Sequence, residues 1–183
     1  LQLSSKNRGF SYRSEGSLDM RFDRSSSKGA GKLIDQADRY SLAQIFKEYG
    51  EERLASRIAK SIKEMTEMNT TADLREAIRR CTPPNHRDRT FARIFQALRI
   101  AVNEELDILQ KFLTKFIDYL RPGGRIVIIS YHSLEDRLVK HSFKELASGG
   151  TLNILTKRPI TAREKERKNN RRAGSAKLRA AVK

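Results

Sequence analysis

Apolar positions are sparse up to residue 32, where Ser, Gly, Arg and Lys dominate and Leu18 to Phe22 is the one short semi-apolar stretch, so this part reads as loop. From Ser41 the spacing turns helical. Leu42, Ile45, Phe46 and Tyr49 make one face that Gly50 ends, because a glycine just past the last periodic residue is an ordinary helix stop. Leu54, Ile58, Ile62 and Met65 predict a second helix over Glu51 to Met68, and Thr71-Ala72-Asp73-Leu74 starts a third that runs to about Arg80 before Pro83-Pro84. Three short helices in succession predict a compact all-α insertion. The longest stripe follows: Phe91, Phe95, Leu98, Val102, Leu106, Leu109, Leu113, Phe116 and Leu120 advance by three or four, which predicts one continuous helix of about eight turns shared by two cores.

After Leu120 the period changes. The turn Arg121-Pro122-Gly123-Gly124 leads into Arg125-Ile126-Val127-Ile128-Ile129, a run apolar on both faces that predicts an interior strand of a parallel sheet covered by helices. A helix over Leu134 to Ala147 follows, then a strand at Leu152 to Leu155 and a last strand within Ser175 to Val182. These two would form a hairpin that adds an antiparallel strand to an otherwise parallel sheet. No internal repeat is present.

Composition narrows the function classes. The chain has 183 residues, 38% hydrophobic and 33% charged, and no stretch apolar and long enough to span a membrane. Its one cysteine, Cys81, excludes an internal disulfide and a multi-cysteine zinc site and favours a cytoplasmic location. His86, His132 and His141 are too dispersed for metal-ligand spacing, so no metal is expected. A net charge of +16 points to a polyanionic partner, with nucleic acid the default. Lys157 to Lys183 alone holds 11 basic and 2 acidic residues, either a solvated tail or a phosphate-contacting segment. The first residue is Leu and the chain opens in loop-like sequence, which reads as a fragment cut inside a fold.

The candidate chemistry sits where the apolar strand ends. Ser130-Tyr131-His132-Ser133-Leu134-Glu135-Asp136-Arg137 places polar and ionisable side chains at the carboxyl end of a strand, where ligands bind in open α/β sheets. A structural reading makes Ser133 the helix cap and Asp136 an acid in the first turn. That leaves His132 and Arg137 unexplained. Arg8-Gly9-Phe10-Ser11-Tyr12 and Leu18-Asp19-Met20-Arg21-Phe22 mix aromatics with arginines, which suits base stacking or anchoring of the loop to a core. Arg99 and Asn103, four apart, share a helix face.

Taken in order, Gln2-Leu3, Arg8 to Tyr12, Leu18 to Arg21, Tyr49-Gly50-Glu51-Glu52-Arg53, Phe95 to Leu106, Pro122 to Arg125, Ser130 to Arg137 and Ser175-Ala176-Lys177-Leu178-Arg179 resemble the bacterial 16S rRNA cytosine-N4 methyltransferases, the RsmH or MraW family. The resemblance covers essentially the whole chain. It implies an α/β fold, the C-terminal part of a Rossmann-like S-adenosyl-L-methionine-dependent methyltransferase sheet with an inserted all-α subdomain. Residues 1–35 would be a loop segment of the methyltransferase domain, 36–105 the helical insertion used for RNA recognition, and 106–183 the C-terminal part of the methyltransferase domain with its basic tail. The implied substrate is a decoding-site cytosine amino group in 16S rRNA or the small ribosomal subunit. The family's glycine-rich cofactor loop would lie before Leu1, which leaves Gln2 as the cofactor contact and this chain alone as an inactive fragment. Ser4 stands where the family has an Asp. On the substrate side the expectation assigns His132, Glu135 and Arg137 to catalysis and Arg8, Arg21, Arg99 and Asn103 to RNA. The competing expectation is a non-enzymatic, basic, ribosome-associated RNA-binding module.

Overall fold

The structure, a computed structural model, describes residues 6–25 and 28–183. The chain divides into two compact units, Leu1–Glu105 and Leu106–Lys183. Residues before 36, set apart above as a loop of the methyltransferase domain, contribute Leu18, Met20, Ala30 and Ile34 to the core of the first unit.

The first unit is helical because its apolar positions recur at three and four and its caps are strong. Helix α1, Ala30–Gln36, was not legible, since it buries only Ala30 and Ile34. Its entry is held by a preceding loop, with the Ala30 N–H donating to Asp19 O at 2.8 Å and the Gly31 N–H to Leu18 O at 2.7 Å. In α2, Arg39–Glu48, the Asp38 carboxylate accepts from the Ser41 N–H at 2.6 Å, and Leu42 and Phe46 point inward. Gly50 is required as a close approach: a Cβ there would lie 2.7 Å from Phe46 O.

The second predicted helix shortens at both ends to α3, Ala55–Lys63. Glu51 takes φ 48° and the Glu52 side chain accepts from the Leu54 N–H at 3.0 Å, so the chain turns before it coils. At the other end Lys63 Nζ donates to Ile34 O at 2.6 Å and Asp35 O at 3.0 Å, capping the carbonyl end of α1. Helix α4, Thr71–Cys81, begins with a reciprocal capping box between Thr70 and Asp73.

The long apolar stripe is not one helix. It is α5, Arg87–Asn103, then α6, Glu105–Lys115, then a 3-10 turn, Phe116–Tyr119. The break is at Glu104, which adopts a left-handed conformation with φ 49° and ψ 37°. The division into units falls one residue later. A stripe of apolar positions survives such a break because a single left-handed residue interrupts the helix without altering the spacing of the residues on either side. Phe91, Ile94, Phe95, Ala97 and Leu98 on α5 belong to the first core, and Leu113 and Phe116 to the second. Burial of each of the larger of these side chains stabilises by about 1.5 to 3 kcal/mol before conformational entropy is charged.

The second unit is a small sheet with helices. Strand β1, Arg125–Ser130, is followed by α7, Ser133–Ser148, then β2, Asn153–Ile154, β3, Ile160–Thr161, a short helix α8, Glu164–Asn169, and β4, Lys177–Val182. The order is β1-β4-β2, with β3 also on β4. All these pairings are antiparallel, Arg125 opposite Val182 and Ser130 opposite Lys177. The antiparallel pairing of β2 with β4 is as expected, but β4 also pairs directly with β1, and within the described sheet β1 is an edge strand with no parallel neighbour. Ile126 and Ile128 pack on the core of Phe116, Val139, Phe143 and Ala181, while Val127 is 57% and Ile129 51% exposed. The β-branched run could not show this, because both faces are equally apolar in sequence. Among the described residues no helix is long and apolar enough to cross a membrane.

A left-handed φ at a residue with a Cβ costs about 1–2 kcal/mol, and more for a β-branched one. Glu104→Gly is expected to hold or raise stability in urea denaturation by up to about 1 kcal/mol, and Glu104→Val to lower it by more than about 1 kcal/mol. Equal stabilities for the two variants would refute a left-handed Glu104.

Candidate functional site

Two groups of the singled-out residues take shape, one in each unit. In the second, the cap of α7 is His132 rather than Ser133, which is already helical. His132 Nδ1 accepts from the Glu135 N–H at 3.4 Å. In return, Glu135 Oε2 accepts from the Tyr131 N–H at 2.8 Å, and Glu135 Oε1 lies 3.4 Å from His132 Nε2. Imidazole and carboxylate thus lock the turn after β1 reciprocally, as a capping box does with a hydroxyl. The His132 side chain is only 6% exposed and its Nε2 has no hydrogen-bond partner of good geometry. Burial pushes the Glu135 carboxyl upward, but the hydrogen bonds from His132 and the Tyr131 N–H and the attraction of the imidazole outweigh it and hold the group below the usual carboxylate range. Glu135 is therefore ionised at neutral pH. Arg137 is exposed on α7.

Asp136 does more than sit in a first turn. Arg179 on β4 grips it with two bonds, Nε to Oδ1 at 2.7 Å and Nη2 to Oδ2 at 3.1 Å, and Lys177 Nζ stands 3.6 Å away. Asp136 and Arg179 are 8% and 7% exposed. Desolvation works to raise the Asp136 carboxyl, and the bonds and charges of Arg179 and Lys177 prevail and lower it. Ser130 Oγ donates to Lys177 O at 3.3 Å, so the strand end and the helix start are both fastened to β4.

In the first unit the candidates gather on one loop. The Asn103 amide donates to Met20 O at 2.7 Å and to Arg99 O at 2.8 Å, and its Oδ1 accepts from the Phe22 N–H at 2.6 Å. Met20, wholly buried with φ 56°, is thereby pinned to the end of α5. Arg21 pairs with Asp19 and donates to Arg24 O at 3.2 Å. Arg8 donates to Arg21 O, stands 3.9 Å from Asp19 and lies over the Phe10 ring at 5.3 Å. Arg99 makes a bidentate pair with Glu105 at 2.8 and 3.0 Å. The loop aromatics anchor inward: Phe10 stacks on Phe22, and Tyr12 packs against Phe91 and Phe95. Gln2 and Ser4 lie outside the described residues.

The described residues do not form a cradle for a sulfonium nucleoside. A glycine-rich turn is the usual phosphate- or ribose-approach device after a strand, whereas the turn after β1 reads Tyr131-His132 and its helix N-terminus is already occupied by the His132 ring.

A model of the MraW methylase family matches residues 1–183. The chain belongs to the MraW methylase family. It is 50% identical over 184 residues to the "Ribosomal RNA small subunit methyltransferase H" of Trichormus variabilis, covering 99% of this chain and 59% of that protein. The proteins of the same name from Synechocystis and Kosmotoga olearia are 49% and 51% identical, covering 100% and 98% of this chain and 60% and 62% of the relatives. The chain thus spans about three fifths of the length of these curated relatives.

For this MraW-family chain, sequence reasoning missed Arg179 and Lys177 as partners of the strand-end turn. Their place in the Ser175 to Arg179 motif was visible, but not their target. Removing one partner from a buried ion pair costs about 3–5 kcal/mol. Asp136→Asn is expected to lose stability of that order at pH 7 in chemical denaturation. Because the folded-state carboxyls of Asp136 and Glu135 are lowered, their contribution is complete above the ordinary carboxyl range and fades as pH falls below about 4. The gap between wild type and Asp136→Asn should accordingly narrow in acid; a gap independent of pH between 3 and 7 would contradict the pairing.

Proposed function

We propose that this MraW-family protein methylates the exocyclic N4 amino group of a decoding-site cytosine in 16S rRNA, with S-adenosyl-L-methionine as methyl donor, in the cytoplasm. The observation that carries the reading is the match of the family over all 183 residues together with about 50% identity to proteins named for methylating small-subunit ribosomal RNA. The same match favours an enzyme over a purely RNA-binding module. A Rossmann-like sheet is part of the proposal. Support for it comes from β1, an apolar strand at the edge of the described sheet whose Val127 and Ile129 are exposed, as strands and helices of a larger layer would cover. The helical unit is read as the insertion that recognises RNA.

A cytosine amine is a poor nucleophile, because its lone pair is delocalised into the ring. Catalysis therefore needs the base out of its stack, the amine held in line and an acceptor for the departing proton. The cofactor would supply an electrophilic methyl group; the residues of this chain act on the substrate side. Glu135, ionised and anchored through the Tyr131 N–H, accepts a hydrogen bond from the amine. Glu135 also takes the proton that the amine gives up; His132, whose Nδ1 accepts from the Glu135 N–H and whose own proton is therefore on Nε2, faces Glu135 Oε1 and positions that carboxylate. Arg137 orients the phosphodiester backbone. Arg8, Arg21, Arg99 and Asn103 serve RNA indirectly, by holding the Asp19 to Phe22 loop against α5, and Gln2 is assigned to the cofactor.

Single-turnover methylation of small ribosomal subunits by the whole protein, followed by mass spectrometry of N4-methylcytidine, tests the assignment. His132→Ala and Glu135→Ala are each expected to slow the reaction about 100-fold or more at saturating RNA. Unchanged rates would remove these residues from the chemistry, and absence of N4-methylcytidine from the wild-type reaction would overturn the activity itself.

A further inference from the structure

The helical unit carries a second cationic feature away from the Asp19 to Phe22 loop. A groove of about 610 Å3 runs between α3 and the end of α4, lined by Arg57 and Lys60 on one side and by Arg79, Arg80, Thr82 and Arg87 on the other. Glu64 is its one acidic lining residue. Helix-end arginines often do no more than complement the helix dipole, and that accounts for Arg87, whose guanidinium donates to Thr82 O at 3.2 Å and Arg79 O at 3.4 Å. It does not account for Arg57, which lies on α3, is exposed and has no acidic partner among the described residues. Arg79 lies over the Phe91 ring at 5.9 Å and likewise has no carboxylate partner among the described residues. Lys60 and Arg80 pair with Glu64 and Glu76 at 3.6 Å in exposed ion pairs, which are weak and readily exchanged for a phosphate.

Thr82 in the wall of the groove is 3% exposed, and its hydroxyl interacts with the neighbouring Cys81 thiol. Burial raises that thiol although Thr82 and, less strongly, Arg57 oppose it, so this lining side chain stays neutral and adds no anion.

We propose that this groove is a phosphate-backbone site for the ribosomal RNA substrate, with Arg57 and Arg79 as its principal contacts and Lys60 and Arg80 joining once they leave their surface partners. The proposal rests on the RNA-methylating reading above and deepens it: RNA is held on the helical unit by its backbone, a contact that fixes register without reading bases. Cations spread across two helices fit successive phosphates of a strand better than one small anion.

Its test uses the whole protein and small-subunit ribosomal RNA, measuring affinity across a salt series and single-turnover methylation at saturating RNA. For Arg57→Glu/Arg79→Glu, and more mildly for Arg57→Gln/Arg79→Gln, affinity at moderate salt should fall about tenfold. The slope of log affinity against log salt should lessen by roughly 1.4 to 1.8, as expected for two lost phosphate contacts. The rate at saturating RNA should stay unchanged, and the Gln variant, which puts no acid at the end of α4, should keep its thermal unfolding midpoint to within a few degrees. Arg39→Glu/Lys47→Glu, the same change of net charge on α2, should weaken binding far less. Unaltered affinity and slope in the groove variants would overturn the site while methylation by the wild type left the functional reading standing. Equal weakening by the α2 variant would overturn it too, as a bulk charge effect. A wild type that bound RNA through the groove without methylating it would instead refute the activity and keep the site.

Discussion

The pair Asp136–Arg179 is the constraint on which the second unit depends. Two parallel hydrogen bonds between planar groups leave little freedom in angle, so the first turn of α7 can occupy only one position on β4. Since β4 also pairs with β1 along six residues, the strand end, the helix start and the intervening turn become one rigid corner. A hydrophobic contact at the same place would hold the helix down without fixing its rotation. The ion pair fixes the rotation, and the rotation decides where His132 and Glu135 stand.

That corner explains how a histidine can act as a helix cap and remain a candidate for chemistry. One ring nitrogen and one carboxylate oxygen satisfy backbone N–H groups of the turn, which positions the other nitrogen and the other oxygen without mobile loops. The lowered Glu135 carboxyl follows from the same bonds. Structure and proposed chemistry here share their atoms, so a substitution that disturbs one disturbs the other; rate and stability must be read together for each variant.

The first unit solves a comparable problem with a neutral group. Asn103 carries both a donor and an acceptor, and it satisfies Met20 and Phe22 on either side of a buried residue with positive φ. No single charged side chain could serve both backbone groups. Arg8 and Arg21 complete the arrangement through Asp19. The arginines read from sequence as RNA contacts are largely engaged within the chain. The groove between α3 and α4 offers less committed cations.

Much of this was legible in residues. The helical periods of α2, α4 and α5, the strand after Pro122-Gly123-Gly124 and the polar cluster at its end are encoded in spacing, because burial on one face repeats with the geometry of the element. The family resemblance was likewise carried by residues in order. Spacing could not reveal the break at Glu104, since the apolar stripe continues through it, nor α1, whose buried face is two residues. It could not decide the direction or the place of β1 in the sheet, because a β-branched run is compatible with either neighbour orientation. Tertiary structure alone decided which groups meet: Asp136 finds Arg179 across 43 positions of chain, Asn103 finds Met20 across 83, and Arg57 and Arg79 come to line one groove. Local sequence determines the elements through near-neighbour sterics and periodic burial, whereas long-range pairs exist only once packing has brought distant segments together.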